Sequence, residues 1–195
     1  MLFRSLKGSY DWFYEGFALY EEQKLGVKMN QIRFDDLLAT LGRAYDVDRL
    51  TGARASLIDA SKGRWAGGNS TVYARGMLVA FLCDVALLDA SKGKRSVETV
   101  LRSVFEKYRP PARGADASEA ITSLLRSEPQ LAEIVDRYVQ GTDLVDWGSS
   151  VRKAGIHVST RDQLTVLTVD PKPGSRQKAL LDQLGYNNWR KLASK

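Results

Sequence analysis

The apolar stretch from Ser70 to Ala90 constrains the fold more than any other part of the sequence. Ser70 or Thr71 is a typical helix N-cap, and the run GMLVAFLCDVALL that follows is apolar nearly all round a helix. Such a helix has no polar face to turn to water, so we expect it at the centre of the domain. Asp84 interrupts the apolar run Met77–Leu88, which therefore falls short of a membrane span and contains a buried acid that needs a partner.

A second informative stretch, Asp11–Tyr20 (DWFYEGFALY), surrounds one acid, Glu15, with aromatic and apolar residues. In a helix, Trp12, Glu15 and Leu19 share one face, because residues three and four apart stack along the axis. A desolvated carboxylate needs a counter-charge, a hydrogen-bond donor or a metal. Two interpretations stay open: a structural pair with an arginine or lysine of a neighbouring helix, which is the commoner case, or a metal ligand.

The rest of the pattern predicts a mainly α multi-helix domain with one small β element near 156–169. Extended segments are predicted at Ile156–Ser159 and Leu164–Val169, joined by a hairpin loop at Thr160–Gln163. The predicted helices run from near Tyr10, with Ser9 as cap, to Gly26; from Asn30 through Leu41; as one or two short helices within Asp48–Trp65; from Ser96 to Pro110; over Ala117–Leu125; from Ser127 to Gly141; from Thr142 or Asp143 to about Ala154; and as a basic pair over Ser175–Ala193.

Length and charge limit the function classes. A chain of 195 residues fits one domain, and we expect residues 1–156 to form a helical unit with 157–195, the hairpin and last helices, packed on it. The net charge of +6 permits nucleic-acid binding. However, the basic residues are spread out and no dense basic block alternates with aromatic residues, so neither nucleic acid nor a membrane is an expected partner. The single cysteine, Cys83, excludes an internal disulfide.

Four stretches together, in this order, resemble the glycyl aminopeptidase family of zinc metallopeptidases, which are thermolysin-like enzymes (gluzincins) related to aminopeptidase N. They are Trp12–Phe17 (WFYEGF), Asn69–Leu78 (NSTVYARGML), Gly93–Val97 (GKRSV) with its following helix, and Arg113-Gly114 through Tyr138–Thr142 (YVQGT). They cover about Asp11–Ile156. The resemblance implies the fold of the C-terminal helical half of such a catalytic domain.

The resemblance also implies roles for individual residues. Glu15, which precedes Gly16, is similar to the family's third zinc ligand, beside two histidines of an HExxH helix whose glutamate is the general base. Tyr73 matches the tyrosine whose hydroxyl donates a hydrogen bond to the oxyanion during peptide hydrolysis. By the same resemblance, Asn69 and Arg75 are expected near the substrate cleft.

The sequence departs from the family in one major respect: it has no HExxH and only one histidine, His157. Two zinc ligands and the general base are therefore missing, together with the family's N-terminal β domain and the PDZ domain that many members carry. We expect a C-terminal helical fragment of a zinc metallo-aminopeptidase that binds no zinc and cleaves no peptide alone. Its expected partners are the N-terminal part of the same enzyme, which would carry HExxH, and a peptide substrate.

Three further expectations follow. A stand-alone relative that has lost the chemistry would instead be a non-catalytic helical interaction module. A basic nucleic-acid-binding protein is a less favoured alternative that rests on charge alone. If a missing part normally covers Phe13, Phe17 and the start of the helix at Val72, the isolated chain exposes an apolar patch there and self-associates.

Overall fold

The computed structural model describes residues 6–52, 54–66, 69–109 and 115–187, and within them the chain is mainly α with a small β element, as predicted. The helices are α1 (Asp11–Lys28), α2 (Phe34–Leu50), α3 (Leu57–Lys62), α4 (Asn69–Ser91), α5 (Val97–Tyr108), α6 (Ala117–Arg126), α7 (residues 129–140, ending in a π-helical turn), α8 (Gly148–Lys153) and α9 (Ser175–Leu184). The strands are β1 (Leu6–Lys7), β2 (Ala115–Asp116), β3 (Ile156–Arg161) and β4 (Leu164–Val169), and a 3₁₀ turn spans Arg64–Ala66.

Helix α4 forms the centre of the domain, as its sequence predicts, and packs against α1, α2, α3, α5, α8 and α9. The apolar helix is longer than the run Met77–Leu88: Ser70–Ser91 has the length and composition of a membrane span, contrary to the sequence expectation. In the described structure, however, 89% of the apolar window is buried inside the protein. The apolar surface of α4 is therefore accounted for by the core.

The acid inside α4 has the partners that its burial requires. Asp84 accepts bonds from the Nζ of Lys24 at 2.7 Å, the hydroxyl of Tyr20 at 2.7 Å and the backbone N–H of Val97 at 2.8 Å. Burial, followed by the charge of Asp84, raises the pKa of Tyr20 well above its usual value, so this phenol remains a donor. The prediction of a buried, partnered acid is confirmed, and the cluster ties α4 to α1 and to the start of α5.

Helices α1 and α4 cross where two glycines meet. A Cβ atom on Gly16 would lie 2.5 Å from the backbone of Gly76, and one on Gly76 would lie 2.7 Å from the carbonyl oxygen of Trp12. Real Cβ atoms essentially never come that close to backbone atoms, so the helices can cross at this distance only without side chains at both positions. This contact fixes how residues flanking Gly16 and Gly76 face each other.

The β element is an antiparallel hairpin that packs on α2. Its register runs from Ile156↔Val169 to Arg161↔Leu164, so strand pairing continues through Thr160, which the sequence assigned to the loop. The turn itself contains only Asp162 and Gln163, both with positive φ, as a two-residue hairpin turn requires. Asp46 of α2 accepts bonds from both the backbone N–H and the hydroxyl of Thr165, at 2.9 and 2.7 Å.

Three predicted helix boundaries near the start of the chain are wrong. Helix α1 continues past Gly26 to Lys28 and ends where Asn30 adopts φ +60°, so Asn30 terminates one helix instead of opening the next. The cap residue of α1 is Tyr10, while the Ser9 carbonyl accepts a bond from Ser118.

The predicted helix over 142–147 is not formed, and α8 begins only at Gly148. Arg54 donates to the carbonyl oxygens of Thr142 and Asp143 at 2.8 and 3.0 Å, and the N–H of Asp146 donates to the Tyr138 hydroxyl. Side chains thus satisfy backbone groups that a helix would otherwise pair.

The sequence predicts a loop over Ala112–Ala115. Its last residue, Ala115, instead begins β2, which pairs in parallel with β1. Pro110, Pro111 and the end of the predicted C-terminal helix pair lie outside the described residues.

We predict that Gly76→Ala lowers the free energy of unfolding by about 2 kcal/mol or more, because a methyl group there meets backbone that cannot rotate away. Gly26→Ala in α1 is the control: its methyl group would meet only the Ile32 side chain, at 3.2 Å, and it gains the same helix propensity. Urea unfolding of both variants checks this. Equal stability of the two would contradict a crossing set by the glycines.

Candidate functional site

The glycine crossing brings Glu15 and Tyr73, distant in sequence, to one place. Glu15 directly precedes Gly16 on α1, and Tyr73 lies almost one helical turn before Gly76 on α4. Both side chains contact the same guanidinium, that of Arg64, which the 3₁₀ turn after α3 carries. The residues expected from the resemblance to be the zinc ligand and the oxyanion donor therefore share one partner.

Arg64 bridges three side chains. Its Nη1 lies 2.7 Å from Glu15 Oε1 and 3.0 Å from Asp11 Oδ1, while its Nη2 donates to the Tyr73 hydroxyl at 3.0 Å. The side chain of Arg64 is 14% exposed and that of Glu15 is 23% exposed, so the cluster is largely but not completely removed from water. Of the two interpretations of Glu15, the structure shows the first: this acid pairs with an arginine.

Aromatic rings surround the guanidinium. The Arg64 Cζ lies 4.9 Å from the ring centroid of Trp65 and 5.5 Å from that of Tyr73, both within the range of cation–π contacts. Trp65 is 90% exposed, and Tyr14, next to Glu15 in sequence, is 45% exposed. The cluster is therefore mostly shielded from water but lies directly beside the exposed indole of Trp65.

The electrostatics keep the arginine charged and the tyrosine protonated. Burial raises the pKa of Tyr73 above its usual value, and a hydrogen bond to Glu15 and the charge of Glu15 raise it further, while Arg64 opposes them. Burial by itself lowers the pKa of Arg64, but its contacts with Glu15 raise that pKa overall. At neutral pH, Tyr73 therefore keeps a hydroxyl proton that it can donate.

The residues of this chain do not fit a complete zinc centre. Zinc sites use three or four nitrogen, sulfur or oxygen ligands, and the described residues contain no group of three or more His, Cys, Asp or Glu that could hold a metal. The carboxylate of Glu15 already has a cationic partner. His157 lies on β3, where its Nε2 is 3.3 Å from Asp170 Oδ2.

Arg75, a third predicted site residue, has its contacts elsewhere. Arg75 is fully buried: its Nε lies 2.7 Å from Asp48 Oδ1 and its Nη1 donates to the Ala55 carbonyl at 2.7 Å. Arg54 also contacts Asp48, at 3.2 Å. Arg75 thus joins α4 to α2, and we do not carry it into the proposed site. Asn69 is the first residue of α4, and its side chain lies outside the described part of the structure.

Sequence reasoning missed Arg64 and gave Asp11 no role in a site. The sequence offered one signal, an isolated Arg-Trp pair directly before the break at Gly67-Gly68, but spacing could not pair it with α1.

The three residues expected to form an exposed apolar patch are buried, with exposed fractions of 1% for Phe13 and 0% for Phe17 and Val72. They pack in the core and offer no such patch. Self-association through the cleft face stays a prediction.

Comparison with known proteins finds a shared fold. No family model and no curated protein matches the sequence. The chain is similar to a crystal structure of an aminopeptidase N family protein from Idiomarina loihiensis, with a TM-score of 0.67 and 18% identity over 78% of this chain. The match covers 29% of that protein, so the chain spans less than a third of its length. A likeness at this identity shows a shared fold.

We predict that Arg75→Met lowers the free energy of unfolding by about 3–5 kcal/mol, because it removes one partner of a fully buried ion pair. The control, Arg33→Met, removes an exposed pair with Asp36 and should cost at most about 1 kcal/mol. Urea unfolding measures both. A small effect of Arg75→Met would contradict a structural role for this pair.

Proposed function

We propose that this chain is the C-terminal helical part of the catalytic unit of a zinc metallo-aminopeptidase, and that it cleaves no peptide alone. The main support is that Glu15 of α1 and Tyr73 of α4 both contact the guanidinium of Arg64 where the two helices cross. The fold shared with part of an aminopeptidase N family protein supports the same conclusion. The match to 29% of that protein agrees with a module of a larger unit.

In this proposal the chain supplies two functional groups. Glu15 contributes one carboxylate towards zinc, and the imidazoles and the general base come from HExxH in the N-terminal part of the enzyme. The hydroxyl of Tyr73 donates a hydrogen bond to the oxyanion that develops during peptide hydrolysis. Because a tyrosine hydroxyl is protonated at neutral pH, Tyr73 can act as this donor.

A second candidate, a non-catalytic helical interaction module, is favoured by the ion pair itself. Arg64 neutralises Glu15 and donates to Tyr73 without any external group. The coding sequence upstream of Met1 separates the candidates: an in-frame HExxH about twenty residues or more before Glu15 supports the enzyme. A genuine start codon at Met1 supports the module.

The most direct test uses the longer protein that is encoded when an in-frame HExxH lies upstream of Met1. Glu15→Ala should lose zinc, as measured by elemental analysis, because a ligand is removed. Tyr73→Phe should keep zinc and hydrolyse an aminoacyl p-nitroanilide on the order of 10²-fold more slowly or worse, because the oxyanion loses a donor.

Tyr14→Phe, which removes an exposed hydroxyl beside Glu15, is the matched control and should retain both zinc and rate. Full zinc content in Glu15→Ala, or normal turnover in Tyr73→Phe, would contradict the assigned roles.

A further inference from the structure

The ion pair between Glu15 and Arg64 conflicts with a metal-ligand role for Glu15 in the isolated chain. The inference concerns the same carboxylate and so rests on the proposed function. A carboxylate binds a metal through its oxygen lone pairs, yet Glu15 Oε1 lies 2.7 Å from a guanidinium nitrogen. A cation that binds this oxygen must displace the guanidinium from it.

Arg64 holds a second acid at the same nitrogen. Asp11 lies one helical turn before Glu15 on α1, so the two carboxylates are neighbours on one face. Both approach Arg64 Nη1, at 3.0 and 2.7 Å. Without the guanidinium, two partly desolvated carboxylates would face each other without a counter-charge, an arrangement that favours uptake of a cation.

The position of Arg64 is fixed by contacts of the segment that carries it. The backbone N–H of Trp12 in α1 donates to Ser61 Oγ of α3 at 2.9 Å, which joins the end of α3 to the start of α1. The guanidinium also stacks over the rings of Trp65 and Tyr73. The arginine is therefore held beside the two acids by the fold and does not reach them by chance from a long flexible loop.

We propose that Arg64 is a built-in counter-ion that closes the Asp11–Glu15 carboxylates to divalent cations in the isolated chain. Loss of its charge opens a weak two-carboxylate cation site at this position. In the longer enzyme of the proposed function, Arg64 would have to leave Glu15 Oε1 for that oxygen to serve as a metal ligand.

Calorimetric titration of the isolated chain with ZnCl₂ tests this proposal. The wild type should show no binding that depends on Glu15. Arg64→Ala should bind zinc at least about tenfold more tightly than the wild type, because the competing charge is gone. Arg64→Lys should gain no zinc affinity, since the ammonium group keeps the charge. The double variant Arg64→Ala, Glu15→Gln should lose the zinc affinity that Arg64→Ala gains.

Two further variants serve as a control and as a replacement for Arg64→Ala. Arg33→Ala removes another arginine paired with one carboxylate, that of Asp36, and should gain no zinc affinity. If circular dichroism shows that Arg64→Ala is unfolded, Arg64→Gln replaces it, because the longer amide keeps most of the packing while removing the charge.

The proposal is overturned if the wild type binds zinc through Glu15 as tightly as the folded Arg64→Ala or Arg64→Gln variants do. It is also overturned if those variants gain nothing, or if their gain survives Glu15→Gln. These outcomes are independent of the proposed enzymatic role, which fails instead when the longer protein lacks HExxH or keeps its zinc without Glu15.

Discussion

The backbone contact between Gly16 and Gly76 is the constraint on which the rest of the arrangement depends. Two helices approach this closely only where neither carries a side chain, and a Cβ atom at Gly16 would lie 2.5 Å from the backbone of Gly76. The contact leaves little freedom in how α1 and α4 face each other. Glu15 and Tyr73 flank it, and their side chains therefore reach the same guanidinium. The core packing and the candidate site are thus two consequences of one crossing.

The ion pairs described above differ in how far their side chains are exposed to solvent. The Lys24–Asp84 and Arg75–Asp48 pairs are completely buried, with side-chain exposures of 0–1% on both partners, and they join helices inside the core. The pair between Glu15 and Arg64 is 23% and 14% exposed and lies beside an exposed indole. A group that acts on an external partner must be reachable, and the Glu15 pair meets that requirement where the other two do not. This contrast favours Glu15 over Arg75 as a functional residue.

The sequence predicts those features that depend on local pattern. The central helix, the acid within it and the hairpin were readable because periodicity, burial and turn preference act over a few residues. The failure over 142–147 was long-range: Arg54 draws this segment away from a helix through carbonyl contacts that no spacing rule reveals. Arg64 was missed for the same reason, since its partners lie on other helices. The family resemblance supplied the pairing of Glu15 with Tyr73, which local pattern alone does not.

The central claim is that Glu15 and Tyr73 act as one cluster in the folded chain, and a double-mutant cycle tests it most directly. Urea unfolding of Glu15→Gln, Tyr73→Phe and the double variant gives the coupling free energy. A cycle with Tyr14→Phe serves as the reference for an exposed neighbour. The structure predicts a coupling on the order of 0.5–1 kcal/mol for Glu15 with Tyr73 and additivity for the reference. Additive effects within about 0.3 kcal/mol in both cycles would contradict the account.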